Sequence, residues 1–284
     1  SLDSANVEYA HAVGLTGAGQ TIAVVDAGFL TTHSEFAGKN VTTLAGGLPP
    51  VDDHGTAVAA IAAGSASSGQ TIGVAPGADL FLGTYRDRTG AARFSSATQS
   101  TDQAIAAGAI VQNNSWGVLI SSNVEASAYQ SDFNQIFGTN SGRQYTDSLK
   151  RFARNGVPVY AASNINSRTI ADLSSSLPDF VSGLEKSWIT VVNAAPRTKN
   201  QKVVGADLIS SGCLGTASYC MAADGAVVVA QAGGANAYET QSYGTSYAAP
   251  QVAGAIALLA EAFPTLTAQE LRARLLASAN NKFY

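Results

Sequence analysis

Six short runs of apolar and β-branched residues recur along the chain, separated by helix-like stretches, and this spacing constrains the fold more than any other feature. They are Thr21 to Gly28, Ala78 to Tyr85, Gly108 to Gly117, Val157 to Ser163, Ser187 to Ala195 and Gly225 to Gln231. Near-continuous apolar runs of this length read as strands buried on both faces, and helices between them imply parallel crossovers. The expected fold is α/β, doubly wound, with a mostly parallel β-sheet flanked by helices on both faces.

Helix ends are legible between the runs. "HGTAVAAIAAG" stops at Gly64, "SLKRFARNG" stops at Gly156, and "TAQE" (Thr267 to Glu270) is a capping box that opens a last helix from Ala268 to about Ala279. The stretch from Ser121 to Gln144 is polar with little periodicity, so a surface insertion in loop form is expected around 121–144. No linker or charge block divides the 284 residues, and a single domain over 1–284 is expected.

Composition narrows the function classes. A net charge of −4 without a Lys/Arg cluster argues against nucleic acid as a partner. The longest apolar run, Val252 to Ala260, is far short of the ~20 residues of a membrane span, so no membrane span is expected. The chain opens at Ser1 without a charged-then-apolar leader, so a targeting segment is expected to have been removed or to lie outside it. Cys213 and Cys220 sit in "GCLGTASYC", and a small disulfide loop is expected there, which implies an oxidising compartment.

In an open parallel sheet, ligands bind beyond the carboxyl ends of the strands. Asp26 ends the first run, where a buried carboxylate needs a donor. Taken alone, such an aspartate more often caps the next turn. Among three histidines, His11 lacks a polar neighbourhood and His33 reads as a structural loop residue, whereas His54 opens a small-residue helix beside Gly55. Ser246 precedes Pro250 and an apolar run, and because proline has no N–H, Pro250 is expected in the first helical turn, where no donor is lost. Asp26, His54 and Ser246 thus supply a carboxylate, a base and a hydroxyl, the set that nucleophilic acyl transfer needs. Asn164 follows a strand end in "YAASN" and can donate its amide N–H to an oxyanion, with the Ser246 backbone N–H as second donor.

"VVDAG", "HGTAVA", "AASN" and "GTSYAAPQVAG", in that order over nearly the whole chain, resemble the four signature blocks of subtilisin-like serine proteases. The order Asp, His, Ser separates them from chymotrypsin-like enzymes and α/β-hydrolases. The resemblance implies Ser246 as nucleophile, His54 as general base and then acid, Asp26 as its orienter and Asn164 as oxyanion donor. It also implies a substrate pocket walled by Ser115, Trp116 and Gly117 on one side and by Ala161, Ala162 and Ser163 on the other. Ile165 after Asn164 points to an apolar pocket, and Tyr247 stands after the nucleophile where many relatives carry methionine.

"NNSWG", the stretch after it and the cysteine loop are similar to passenger proteases of Gram-negative autotransporters. That likeness implies a secreted or cell-surface enzyme acting on extended peptide or protein substrates. A propeptide and a C-terminal translocator would then be partners outside this chain. A monomer is expected. No dense Asp/Asn loop marks a calcium site, so no cofactor or metal is expected.

Three rivals compete with this reading. A nucleotide-binding domain would carry its glycines after the first strand, and here they precede it. An esterase would need G-x-S-x-G, and Gly244 to Ala248 ends in alanine. A catalytically silent binding or adhesion module keeps the fold, but all four catalytic positions retain competent residue types.

Overall fold

The structure is a computed structural model and describes residues 5–66, 69, 71–118, 126–200 and 202–279. The chain begins with α1 (Val7–Ala12), β1 (Thr21–Asp26), β2 (Val41–Thr43), α2 (Asp53–Ala63), β3 (Asp79–Thr84), α3 (Phe94–Ala106) and β4 (Val111–Asn114). There follow α4 (Ala126–Ile136), α5 (Asn140–Phe152), β5 (Val157–Ala161), β6 (Ile189–Lys199), β7 (Lys202–Leu208) and β8 (Cys220–Ala223). A hairpin of β9 (Ala226–Gln231) and β10 (Ala237–Tyr243) leads into α6 (Thr245–Ala262) and α7 (Ala268–Ser278).

Seven strands run in the order β2-β3-β1-β4-β5-β6-β7, with β8 also pairing β6. All pairs except β6 with β7 are parallel. In β1, Ile22 to Asp26 are all buried, which is the two-sided burial its continuous apolar sequence demands. One core lies between β1, β3, β4, β5 and the helices α2 and α6, holding Val24, Leu82, Val58, Val252 and Ile256. A second, aromatic core on α5 and β5 holds Tyr145, Tyr160 and Trp188.

Two expectations change. The run Gly225 to Gln231 does form a strand, β9, but it pairs antiparallel with β10 in a separate two-stranded sheet. Its alternating burial explains the difference: Val228 is 40% exposed while Val229 is 1% exposed, a one-sided strand hidden in a run of valines. The 121–144 stretch is not a loop where it is described. It folds into α4 and the start of α5, and Thr139 caps α5 by accepting a hydrogen bond from Gly142 N–H; residues 121–125 lie outside the described residues. The end of "SLKRFARNG" is also earlier than Gly156, because α5 stops at Phe152.

Cys213 and Cys220 form the expected disulfide, with Cα atoms 6.2 Å apart. The capping box is present as read, Thr267 and Glu270 each bonding the other's backbone.

Candidate active site

The parallel sheet aligns the ends of β1, β4 and β5, so Asp26, Ser115 and Asn164 converge from distant parts of the sequence. Asp26 is fully buried at the end of β1. Its Oδ1 accepts from the Ala27 N–H at 2.7 Å and from His54 Nδ1 at 2.8 Å. A carboxylate only accepts, so Nδ1 carries the proton, and in the neutral imidazole Nε2 keeps its lone pair. Asp26 thus makes a local bond at the strand end and a contact with the imidazole through the same oxygen.

His54 stands at the second position of α2. Its backbone N–H donates to the N-cap Asp52, and its side chain is 35% exposed. Gly55 lets this helix start press against β1, because a β-carbon there would lie 2.1 Å from the Gly28 carbonyl oxygen and 3.2 Å from Asp26 Cβ. Burial pulls the imidazole pKa down, but the charge and hydrogen bond of Asp26, with help from Asp52, outweigh it and leave the pKa above 6.5. The other two histidines are structural. Buried His33 accepts from the Glu35 N–H and bonds the Ala237 carbonyl, and His11 bonds the Val74 carbonyl.

Ser246 is the second residue of α6, and the Tyr247 ring lies 6.0 Å from the His54 ring. The Ser246 hydroxyl donates to the Ser115 carbonyl just beyond β4 at 3.2 Å. Pro250 is not in the first turn; it is the sixth residue of α6, where a helical N–H would have bonded the Ser246 carbonyl. The Ser115 hydroxyl takes over that bond, donating to the Ser246 carbonyl at 2.8 Å. The proline therefore removes a donor, and the strand end beside it restores one.

Asn164 is exposed beyond β5. Its Oδ1 accepts from the Thr245 N–H at 2.8 Å, while the Thr245 hydroxyl, which has one proton, lies 2.7 Å from the Ala162 carbonyl and 2.9 Å from Oδ1. With the oxygen held by the Thr245 N–H, the Nδ2 amide is left as a donor. Among the described residues, no hydrogen bond leaves Asn164 Nδ2 or the Ser246 N–H. Helix starts leave such N–H groups unpaired and attract negative charge.

Of the residues expected to wall a pocket, Ser115, Trp116 and Gly117 follow β4, and Ala161 ends β5 with Ala162 and Ser163 just beyond it, the two strands being paired in parallel. Trp116 stacks on Tyr85 at 4.7 Å. Ile165 is 39% exposed, and farther along the same connection Arg168 and Asp172 form a buried ion pair at 3.5 Å. A separate cavity of about 990 Å³ is lined by Asn166, Ile72, Ile209, Val228, Tyr243 and Gln251 among others, and by none of the four candidate catalytic residues.

Comparison with known proteins now decides the family: residues 17–284 match the subtilase family. The chain belongs to the subtilase family. Among curated relatives, an extracellular serine protease of Serratia marcescens is 29% identical over 99% of this chain, and subtilisin NAT of Bacillus subtilis subsp. natto is 28% identical over 96%. The chain spans 31% of the first protein's length and 65% of the second's. Among solved structures, the prenylagaramide maturation protease PagA superposes with a TM-score of 0.71 at 21% identity, covering 96% of this chain and 88% of that one. The self-cleaved protease domain of PatA gives 0.70 at 22% identity, covering 94% and 91%. These structures establish the subtilisin-like fold.

Proposed function

We propose that this subtilase domain hydrolyses peptide bonds through an acyl-enzyme. The observation that carries the reading is the 2.8 Å Asp26–His54 bond, which supports His54 as the base, with the Tyr247 ring of α6 6.0 Å from the imidazole. Rotation of the Ser246 side chain away from the Ser115 carbonyl brings its hydroxyl to His54 Nε2. As Oγ attacks the peptide carbonyl carbon, its proton passes to Nε2. The leaving amine then takes that proton, and water repeats the sequence in reverse to free the acid. Asn164 Nδ2 and the Ser246 N–H are the donors for the oxyanion.

Main chain at Ser115–Gly117 and Ala161–Ser163 is proposed to pair with an extended substrate as an added strand. An extracellular or cell-surface location is supported by the disulfide and by the names of the relatives. No helix among the described residues is long and apolar enough to cross a membrane. The autotransporter passenger reading rests on the short "NNSWG" and cysteine-loop segments, and metal independence is proposed with it.

The test is fluorophosphonate labelling of Ser246 together with peptide-library cleavage, with and without phenylmethylsulfonyl fluoride and EDTA. Labelling at Ser246, with cleavage abolished by the fluoride and indifferent to EDTA, is expected. The Ser246 hydroxyl's bond to Ser115 favours one rival, the silent binding module. Absence of both labelling and cleavage would establish that rival instead.

A further inference from the structure

A buried carboxylate stands between the two segments that wall the substrate pocket. Asp172 lies on the connection between β5 and β6 and is 5% exposed. The Ser163 side chain is near enough to favour its charged form, which relates it to the β5 wall. Its Oδ2 lies 3.1 Å from the point where a β-carbon on Gly117 would stand, which ties it to the β4 wall. The carboxylate thus bridges the gap between the walls from behind.

Its second oxygen is chemically incomplete. Oδ1 receives no hydrogen bond among the described residues, although Arg168 Nη1 stands 3.5 Å away as an ion-pair partner. A buried carboxylate oxygen is best satisfied by a charged donor at hydrogen-bond distance. Arg168 belongs to a stretch whose other members Asn164, Ile165, Asn166, Ser167 and Thr169 are all exposed, while its own side chain is 8% exposed. Gly117 keeps the approach open, because any side chain there would press on the carboxylate.

We infer that Asp172 is a specificity-determining residue: it floors the pocket and receives the ammonium or guanidinium of a lysine or arginine immediately before the scissile bond. Arg168 holds that place in the free protein and withdraws to solvent as the substrate side chain enters. Exchange of one cation for another keeps the buried carboxylate compensated throughout, which a neutral substrate side chain cannot do. The inference rests on the peptidase reading above.

The test compares the full chain with Asp172→Asn and Arg168→Ala on peptides that differ only in lysine, arginine, norleucine or alanine before the cleaved bond. Fluorophosphonate labelling, which needs no such side chain, is run on all three as a check on folding and on the catalytic serine. Lysine or arginine should be preferred by the parent. In Asp172→Asn the ratio of kcat/KM for basic over norleucine peptides should fall about 10–100-fold, the worth of a charge-assisted hydrogen bond. Arg168→Ala should lower KM for basic peptides by removing the internal competitor, and it keeps the inference testable if the asparagine variant does not label. A parent that labels but prefers norleucine or alanine, or whose basic preference survives in Asp172→Asn, would overturn the inference and leave the peptidase reading intact. A parent that neither labels nor cleaves overturns both.

Discussion

Ser115 and Ser246 hold each other by two opposed bonds, hydroxyl to carbonyl in each direction. One of these replaces the helical donor that Pro250 lacks, so truncating Ser115 should leave the Ser246 carbonyl without its partner. Ser115→Ala is expected to lower stability by about 1–3 kcal/mol, the usual cost of an orphaned buried acceptor, read as a fall in the urea midpoint at constant slope. An unchanged midpoint would show that the carbonyl finds another donor. His54 gives a prediction of a different kind. The base must be neutral, and Asp26 holds its pKa above 6.5 against the pull of burial, so the acid limb of kcat/KM should have its midpoint above 6.5. Asp26→Asn removes the charge that raises it, so that midpoint should move down while the rate falls; a midpoint that stays put would refute Asp26 as the cause. Asn164→Ala should lower kcat more than it raises KM. The expected size, about 10²–10³, is carried over from subtilisin, where loss of the equivalent asparagine donor has that effect. Residue types at Asp26, His54, Asn164 and Ser246 are legible in the sequence because each stands at a strand end or helix start. Asp172 is not, since nothing in "ADLSSS" reveals that its side chain crosses to Gly117, a contact made only by folding.

Strands buried on both faces announce themselves in sequence as unbroken apolar runs, which is why β1, β3, β4, β5 and β6 are all legible there. The short edge strand β2 and the polar, partly exposed β7 and β10 carry no such run and escape a reading by apolar pattern. β9 reads as one more member of the parallel sheet because Val227, Val228 and Val229 mask an alternation that only its packing on α2 reveals. In the 121–144 stretch, helical structure comes from tertiary support. Tyr129 on α4 is buried and its hydroxyl donates to the Ala171 carbonyl, next to Asp172, so α4 braces the connection that carries the pocket floor. Element ends with a capping side chain are the most legible. Thr267→Ala should cost about 1 kcal/mol by removing the α7 cap, measured by thermal or urea unfolding, while Glu270 loses only the hydroxyl's hydrogen bond and keeps the one from the backbone N–H of residue 267. A loss no larger than at an uncapped surface threonine would show that α7 is held by its core contacts alone.

Over the whole molecule, the sheet order does what no local pattern states: placing β1 between β3 and β4, with β5 beyond, sets Asp26, Ser115 and Asn164 along one edge. The convergence could be expected from the fold class, but the register that makes it a site could not. Stability at this scale also draws on a covalent tie. The disulfide joins Cys213 to Cys220, which opens β8, and β8 pairs with β6 in the main sheet. Closing so short a loop removes only modest entropy from the unfolded chain, about 2–3 kcal/mol in the chain-entropy model. Replacing both cysteines by serine should therefore lower the unfolding free energy by that amount, read as a fall in the urea midpoint, with folding and fluorophosphonate labelling retained. Because the loop is local and the sheet is not, the double variant should unfold with the same denaturant slope as the parent. A reduced slope would mean that β8 detaches before the rest of the sheet, and the bridge would then act on the native edge more than on the unfolded chain.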